Sequence, residues 1–366
     1  MANETVKKKK GFRYLSILLC VLLAVSLFLT GCTDEQVEDG VGIVVDILID
    51  ALFSDETDSS SGENQSGDST TSPDAVIIDG TMEVHFIDVG QADATLIIQG
   101  EQVMLFDVAT KSRGDDLVKY LKNLGIDYID VVVLTHPHDD HMGGAAEVLN
   151  NIKVGKIYGP DIFELMDNKD APGWYEDMID AIDKIDTKQN QGVPENQQTS
   201  IWHFPRNANG KFAKFKIGEA VVEFYAPLKD EYSDKNDYSI CAKVSFGTID
   251  IMFTGDATSE VEKALLEKSY NLDVEIFQAS HHGSDTGNSK DFLEAMSPEA
   301  IVISCGMKNK YNHPVKSVID LYKEMNIPVY RTDESGNIVM TTDGKSYSFN
   351  LEPGTYTSGE EYKKGN

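Results

Sequence analysis

Cysteine and positive charge are both scarce in this chain. Its 366 residues include four cysteines, Cys20, Cys32, Cys241 and Cys305, and no two form a Cys-x-x-Cys pair. That argues against a zinc site built on cysteine. Cys241 and Cys305 stand alone in strand-like surroundings and read as buried free thiols, with a Cys241–Cys305 disulfide left open. Lysine and arginine total 32 against 61 aspartates and glutamates, a formal charge of -29. Such a field repels nucleic acid and anionic membrane at long range. It leaves room for an anionic substrate wherever local cations dominate a cleft.

The length could hold two domains, but the first eighty residues do not read as a packed one. A lysine run, Lys7 to Lys10, precedes an apolar stretch from Leu15 to Leu29 and the ending Leu29-Thr30-Gly31-Cys32. A basic start, an apolar middle and small residues before a cut site describe a secretory leader. The ending resembles a bacterial lipobox, which implies cleavage before Cys32 and lipid on that cysteine. The alternative is an uncleaved membrane anchor. Either way the expectation is an extracytoplasmic protein tied to the bacterial cell membrane. Residues 41–53 are apolar, with Asp46 and Asp50 on one helical face, and could lie on the membrane or dock on the domain. Residues 54–74 are dense in Ser, Asp, Gly and Thr and read as a flexible tether. The expected organisation is therefore a leader over 1–31, an apolar segment and tether over 32–80, a globular domain over 81–352 and a polar, disordered tail over 353–366.

The domain is built around Thr135-His136-Pro137-His138-Asp139-Asp140-His141. His136, His138, Asp140 and His141 are all capable of binding metal, and they follow Tyr128 to Leu134, a β-branched run that reads as a buried strand. Imidazole and carboxylate suit zinc or manganese. Three other stretches end strand-like runs in polar, metal-capable groups: Leu105-Phe106-Asp107, Phe253-Thr254-Gly255-Asp256 and Ala279-Ser280-His281-His282-Gly283. Lys308-Asn309-Lys310-Tyr311-Asn312-His313-Pro314 adds a further histidine.

As a set, these motifs resemble the metallo-β-lactamase fold superfamily, whose signature is His-x-His-x-Asp-His. Over residues 82–351 the chain looks most like the branch containing the ComEC/Rec2 competence-protein C-terminal domain and the teichoic-acid phosphorylcholine esterases. The resemblance implies an α/β fold, a four-layer αββα sandwich of two mixed sheets with outer helices. Residues 201–204, 212–217 and 221–225 are expected in the second sheet, closed by 328–330, 338–341 and 347–351. Two divalent ions, Zn or Mn, are implied: one on His136, His138 and Asp256, the other on Asp140, His141, Asp256 and His282. Asp140 also counts among the residues expected to carry the chemistry. His281 and His313 are expected to contact a phosphate or move a proton, although His281 and His282 could exchange roles. Asp107 would brace the histidine loop. Asp88, in the opening motif, and Asn236 and Asp237, in Asn-Asp-x-Ser, would support the site from behind. Ala92 and Ala109 replace family glycines, so a slightly different turn is expected at Ala109. No histidine occurs between His203 and His281, where the wider superfamily places a third ligand. That leaves the first metal site to be completed by Asp237, Asn236 or water.

The reading that follows is a membrane-anchored, metal-dependent phosphodiesterase acting on nucleic acid or on wall or lipid phosphodiesters. No obligate protein partner is implied. A β-lactam or amide hydrolase is the second class and is disfavoured by the missing histidine. A non-catalytic adaptor is the third.

Overall fold

The structure, a computed structural model, describes residues 80–166 and 171–364. The leader, Cys32, the 41–53 segment and the tether lie outside the described residues. Among the described residues, no helix is long and apolar enough to cross a membrane.

Among the described residues, fifteen strands form two sheets. They are β1 (Met82–Phe86), β2 (Thr95–Gln99), β3 (Gln102–Phe106), β4 (Tyr128–Val133), β5 (Lys153–Tyr158), β6 (Trp202–His203), β7 (Lys214–Ile217), β8 (Ala220–Phe224), β9 (Ala242–Phe246), β10 (Ile249–Phe253), β11 (Ile276–Gln278), β12 (Ala300–Ile303), β13 (Val329–Arg331), β14 (Ile338–Thr342) and β15 (Tyr347–Phe349). The first sheet runs β15-β14-β1-β2-β3-β4-β5-β6 and the second β13-β12-β11-β10-β9-β8-β7. In each sheet one half is antiparallel and the other parallel. β3 through β6 run parallel, as do β10 through β13.

Three expectations for individual segments are corrected. β6 pairs with β5 in the first sheet, not the second. β14 and β15 close the first sheet, because β14 lies antiparallel to β1 over Met82–Phe86. An alternating strand shows which residues face the core but not which sheet it joins. The tail from Pro353 to Lys364 is ordered. Gly354 N–H donates to the Val329 carbonyl (2.7 Å), and the Tyr356 hydroxyl donates to that of Ile327 (2.8 Å). The guanidinium of the fully buried Arg331 forks onto Asp333 (3.0 and 2.8 Å) and also donates to the carbonyls of Thr355 and Thr357. The tail is polar in composition, yet its backbone acceptors satisfy a buried charge that would otherwise be costly.

β4 shows how the layers arise. From Val131 to Val133 its side chains alternate: Val132 enters one apolar cluster, Val131 and Val133 another. The second of these clusters also holds Val222, Phe224, Val244 and Ile251, so the sheets pack face to face. Outside the first sheet lie α1 (Gly114–Asn123), α2 (Asp139–Met142), α3 (Ala145–Asn151) and α4 (Gly173–Gln189). Trp174 and Tyr175 of α4 are packed there. Outside the second sheet lie α5 (Ser259–Leu266), α6 (Lys290–Met296) and α7 (Lys316–Glu324). Helix, sheet, sheet, helix is the four-layer sandwich expected. A last helix, α8 (Gly359–Lys364), begins where Gly359 N–H donates to the Pro314 carbonyl (2.9 Å).

Candidate metal centre

The parallel halves decide where the chemistry can sit. Strands that run the same way end at the same rim, and loops beyond carboxyl ends are where such sheets gather ligands. Asp107 follows β3 and the histidine loop follows β4. Asp256 follows β10, His281 and His282 follow β11, and Ser304 follows β12. Asp93 precedes β2, which runs antiparallel to β3, and so reaches the same rim.

Asp107 organises the histidine loop. It is buried and accepts from Thr135 N–H (2.8 Å), the Thr135 hydroxyl (2.8 Å) and His141 Nδ1 (2.7 Å). Its backbone is left-handed (φ 54°), as is that of Ala109 (φ 63°). The alanine thus adopts the conformation a glycine would favour. Gly144 allows the loop to close on this turn, since a Cβ there would fall 2.2 Å from the Val108 carbonyl oxygen.

Asp256 lies at the centre. One carboxylate oxygen is 3.6 Å from His136 Nε2 and 3.3 Å from His281 Nε2. The other is 3.1 Å from His141 Nε2 and 4.0 Å from His282 Nε2. His138 Nδ1 lies 3.0 Å from His136 Nε2, and Asp140 is 3.5 Å from His282 Nε2. The backbone N–H of Asp256 donates to the Ser239 hydroxyl (3.1 Å). Gly255 (φ 51°) makes the turn, and a Cβ on it would meet the Thr135 hydroxyl at 2.8 Å.

Both adjacent histidines reach this pocket because both take left-handed backbone, φ 50° at His281 and 55° at His282. Such strain persists where the surroundings impose it. His282 Nδ1 donates to the Ser304 carbonyl (2.9 Å), which leaves Nε2 facing Asp140 and Asp256. His281 Nδ1 is engaged by the Thr286 hydroxyl (2.9 Å). His313 borders the pocket, its ring 5.5 Å from that of His281.

The donors fit divalent ions. His141 Nε2, His282 Nε2, one Asp256 oxygen and one Asp93 oxygen are buried without a hydrogen-bond partner, an arrangement costly unless something binds there. His136, His141 and Asp256 present donor atoms within 4.8 Å of one another, and so do Asp140, His141 and His282. The Nδ1 anchors of His141 and His282 fix which nitrogen is offered, as ligating histidines require. Burial alone would lower the pKa of both, but carboxylates led by Asp256 raise them well above the ordinary value. Metal binding to these histidines would displace protons. Burial, then His282 and His281, push His313 down to about 3.

Two of the other expected site residues have partners of their own. Asp88 is exposed and accepts from Gly90 N–H (3.1 Å), so it shapes a turn and does not support the metal pocket. One oxygen of the Asp237 carboxylate accepts from the N–H and hydroxyl of Thr258 (3.1 and 2.7 Å), which braces the stretch after Asp256. Asn236 is buried with its side-chain oxygen unpartnered. Cys241 and Cys305 are free and buried. The sequence reading passed over Asp93 (3.4 Å from His282 Nδ1 and 3.9 Å from His141 Nδ1) and the Ser239 hydroxyl. The available signal for Asp93 was its place just before an antiparallel strand, which delivers it to the rim where β3 and β4 end.

A two-sheet sandwich with a candidate histidine–aspartate metal site at one rim is the α/β architecture of the metallo-beta-lactamase fold. The chain belongs to the metallo-beta-lactamase superfamily, whose model matches residues 87–306. It is 24% identical over 294 residues to ComE operon protein 3 of Bacillus subtilis, covering 75% of this chain and 35% of that one. It is 28% identical over 253 residues to competence protein ComA of Neisseria gonorrhoeae, covering 68% and 30%. The chain thus spans about a third of the length of these relatives. Among solved structures it is similar to the metallo-beta-lactamase fold protein YhfI of Bacillus subtilis, at 14% identity and a TM-score of 0.43, covering 72% of this chain and 100% of that one.

Proposed function

We propose that this protein is a metal-dependent phosphodiesterase, held outside the cytoplasmic membrane by lipid on Cys32. One observation supports the dinuclear part of this reading above the rest: Asp256 directs each of its two oxygens at a different pair of histidines. His136, His138 and Asp256 would hold one ion, Asp140, His141, His282 and Asp256 the other. When bound, a pair of divalent ions activates water near neutral pH and neutralises charge on a phosphate.

The chain's own groups do the rest. Asp107 and the Ser304 carbonyl fix the tautomers of His141 and His282. His281, one-fifth exposed at its side chain, faces the pocket mouth and can donate to a phosphate oxygen. His313, whose ring lies 5.5 Å from that of His281, is placed to contact substrate. The names of the competence-protein relatives favour nucleic acid over a wall or lipid phosphodiester as substrate.

The test uses the full chain with Mn(II) or Zn(II) against bis-p-nitrophenyl phosphate, single-stranded DNA and nitrocefin. Turnover of the phosphodiesters that disappears in Asp256→Asn and His138→Ala is the expected result. Turnover of nitrocefin alone would make the protein an amide hydrolase. Metal binding without turnover of any of the three would make it a non-catalytic adaptor.

A further inference from the structure

The loop between β12 and α7 carries an exposed feature that the proposed reaction does not use. Tyr311 is 50% exposed, and Met307 beside it is 65% exposed. The Tyr311 ring stacks on His313 with centroids 5.5 Å apart and planes 23° apart. His313 in turn lies 6.2 Å from His282 and 5.5 Å from His281. A series of rings therefore leads from the metal pocket out to solvent. Lys310 Nζ lies 4.7 Å from the Tyr311 ring centre and within electrostatic reach of Asp140. Residues 307–313 hold two exposed lysines and no acid, in a chain of net charge -29.

The loop is rigid. Asn309 is buried at its centre. Its amide donates to the carbonyls of Gly306 (2.8 Å) and His313 (2.6 Å), and its oxygen accepts from the N–H groups of Tyr311 (3.1 Å) and His313 (3.0 Å). Gln91 ties it to the opposite sheet, accepting from Gly306 N–H (3.0 Å) and lying 3.4 Å from His313 Nδ1. An aromatic ring held this way loses little freedom when a ligand settles on it.

We propose that Tyr311 is a stacking subsite for one unpaired nucleobase beside the scissile phosphodiester, with Lys308 and Lys310 meeting the phosphates that flank it. This rests on the phosphodiesterase reading and narrows it to single-stranded polynucleotide. A base offers a π-face whatever its identity, and cations beside the ring track the backbone. Wall polymers built on polyol phosphates have no such face, so an exposed tyrosine gains them little. Bases within a duplex are already stacked. The Lys310 ammonium, on an exposed and flexible stem, leaves the ring for a phosphate when the base arrives.

The full chain loaded with Mn(II) is titrated with a fluorescent oligothymidylate and with an abasic strand of equal length, both as phosphorothioates that resist cleavage. Tyr311→Ala should weaken oligothymidylate binding by about 5- to 150-fold, the range for losing one base–aromatic stack, while Tyr311→Phe stays within about twofold. Neither change should alter binding of the abasic strand. Lys310→Ala should weaken both strands and flatten the salt dependence by about 0.7 in log–log slope. The proposal is overturned if Tyr311→Ala binds the oligothymidylate like wild type. It is equally overturned if both strands weaken together, since that reports a displaced His313 loop. Cleavage of the unmodified strand by wild type is read separately. Its absence would sink the phosphodiesterase reading without touching the binding contrast.

Discussion

Replacing Asp107 by asparagine should weaken metal binding without a metal ligand being changed. The substitution isolates charge and proton direction, because asparagine tolerates the left-handed backbone at this position as well as aspartate does. One Asp107 oxygen accepts from Thr135 N–H, and an amide carbonyl can do the same. The other accepts from the Thr135 hydroxyl and His141 Nδ1. Asparagine puts an NH2 group there, so His141 can avoid a donor–donor clash only by moving its proton to Nε2. That is the nitrogen a metal needs as a lone pair. Keeping the proper tautomer against a buried, unpaired donor costs about 1–3 kcal/mol. This matches the ~10- to 100-fold loss of affinity typical when a partner behind a ligating histidine is removed. A chelator competition titration with Zn(II) measures it, alongside thermal unfolding of the metal-free chain. Wild-type affinity in a folded Asp107→Asn protein would refute the argument, leaving Asp107 as a brace for Thr135 alone.

Gly255→Ala should cut metal affinity and phosphodiester turnover together, because the new methyl must displace Thr135 or Ser239 and with it Asp256; activity at wild-type level would show that the turn yields cheaply. The pKa values of His141 and His282 are raised in the metal-free fold. The stability from their protons is therefore full below the unfolded histidine value of ~6.5 and lost as pH climbs through the raised values. Unfolding scans should accordingly show the metal-free chain losing stability on the alkaline side, and an indicator dye should register proton release on metal addition; metal uptake with no proton release would contradict this. His313, depressed to about 3, works the other way, with its contribution to stability disappearing as pH falls from ~6.5 toward 3. Burial pushes the thiols of Cys241 and Cys305 above their ordinary range, so neither should react with Ellman's reagent until the chain unfolds; rapid labelling of the folded protein would contradict their burial.

Much of the site could be read before any coordinates. His136, His138, Asp140 and His141 fall within one short loop after an unmistakable strand, and Asp256 and His282 each end another. Strand ends converge at a rim by topology alone, so their meeting followed from the pattern. What the sequence hid depends on direction. The alternation of β6, β14 and β15 records burial, which either sheet satisfies, so their sheet assignment went astray. Asp88 and Asp93 are both acids in the same opening stretch, yet only Asp93 is turned inward by the strand that follows. The Thr258 donors on one oxygen of Asp237 could not be read from the sequence. The ordered tail was missed because its order comes from Arg331, some twenty residues upstream, and not from any apolar periodicity of its own.

That tail sets a practical boundary for anyone shortening the protein. Gly359 sits against the backbone at Asn312 and His313 so closely that a Cβ would come within 2.6 Å of Asn312, and Lys363 Nζ donates to the Asn312 side chain (2.7 Å). Ending a recombinant version at Leu351, where the strands stop, would take two carbonyl acceptors from the buried Arg331 and pull the floor from beneath the Tyr311–His313 corner. Expression boundaries should therefore run through Lys364, and affinity handles belong at the other end of the domain.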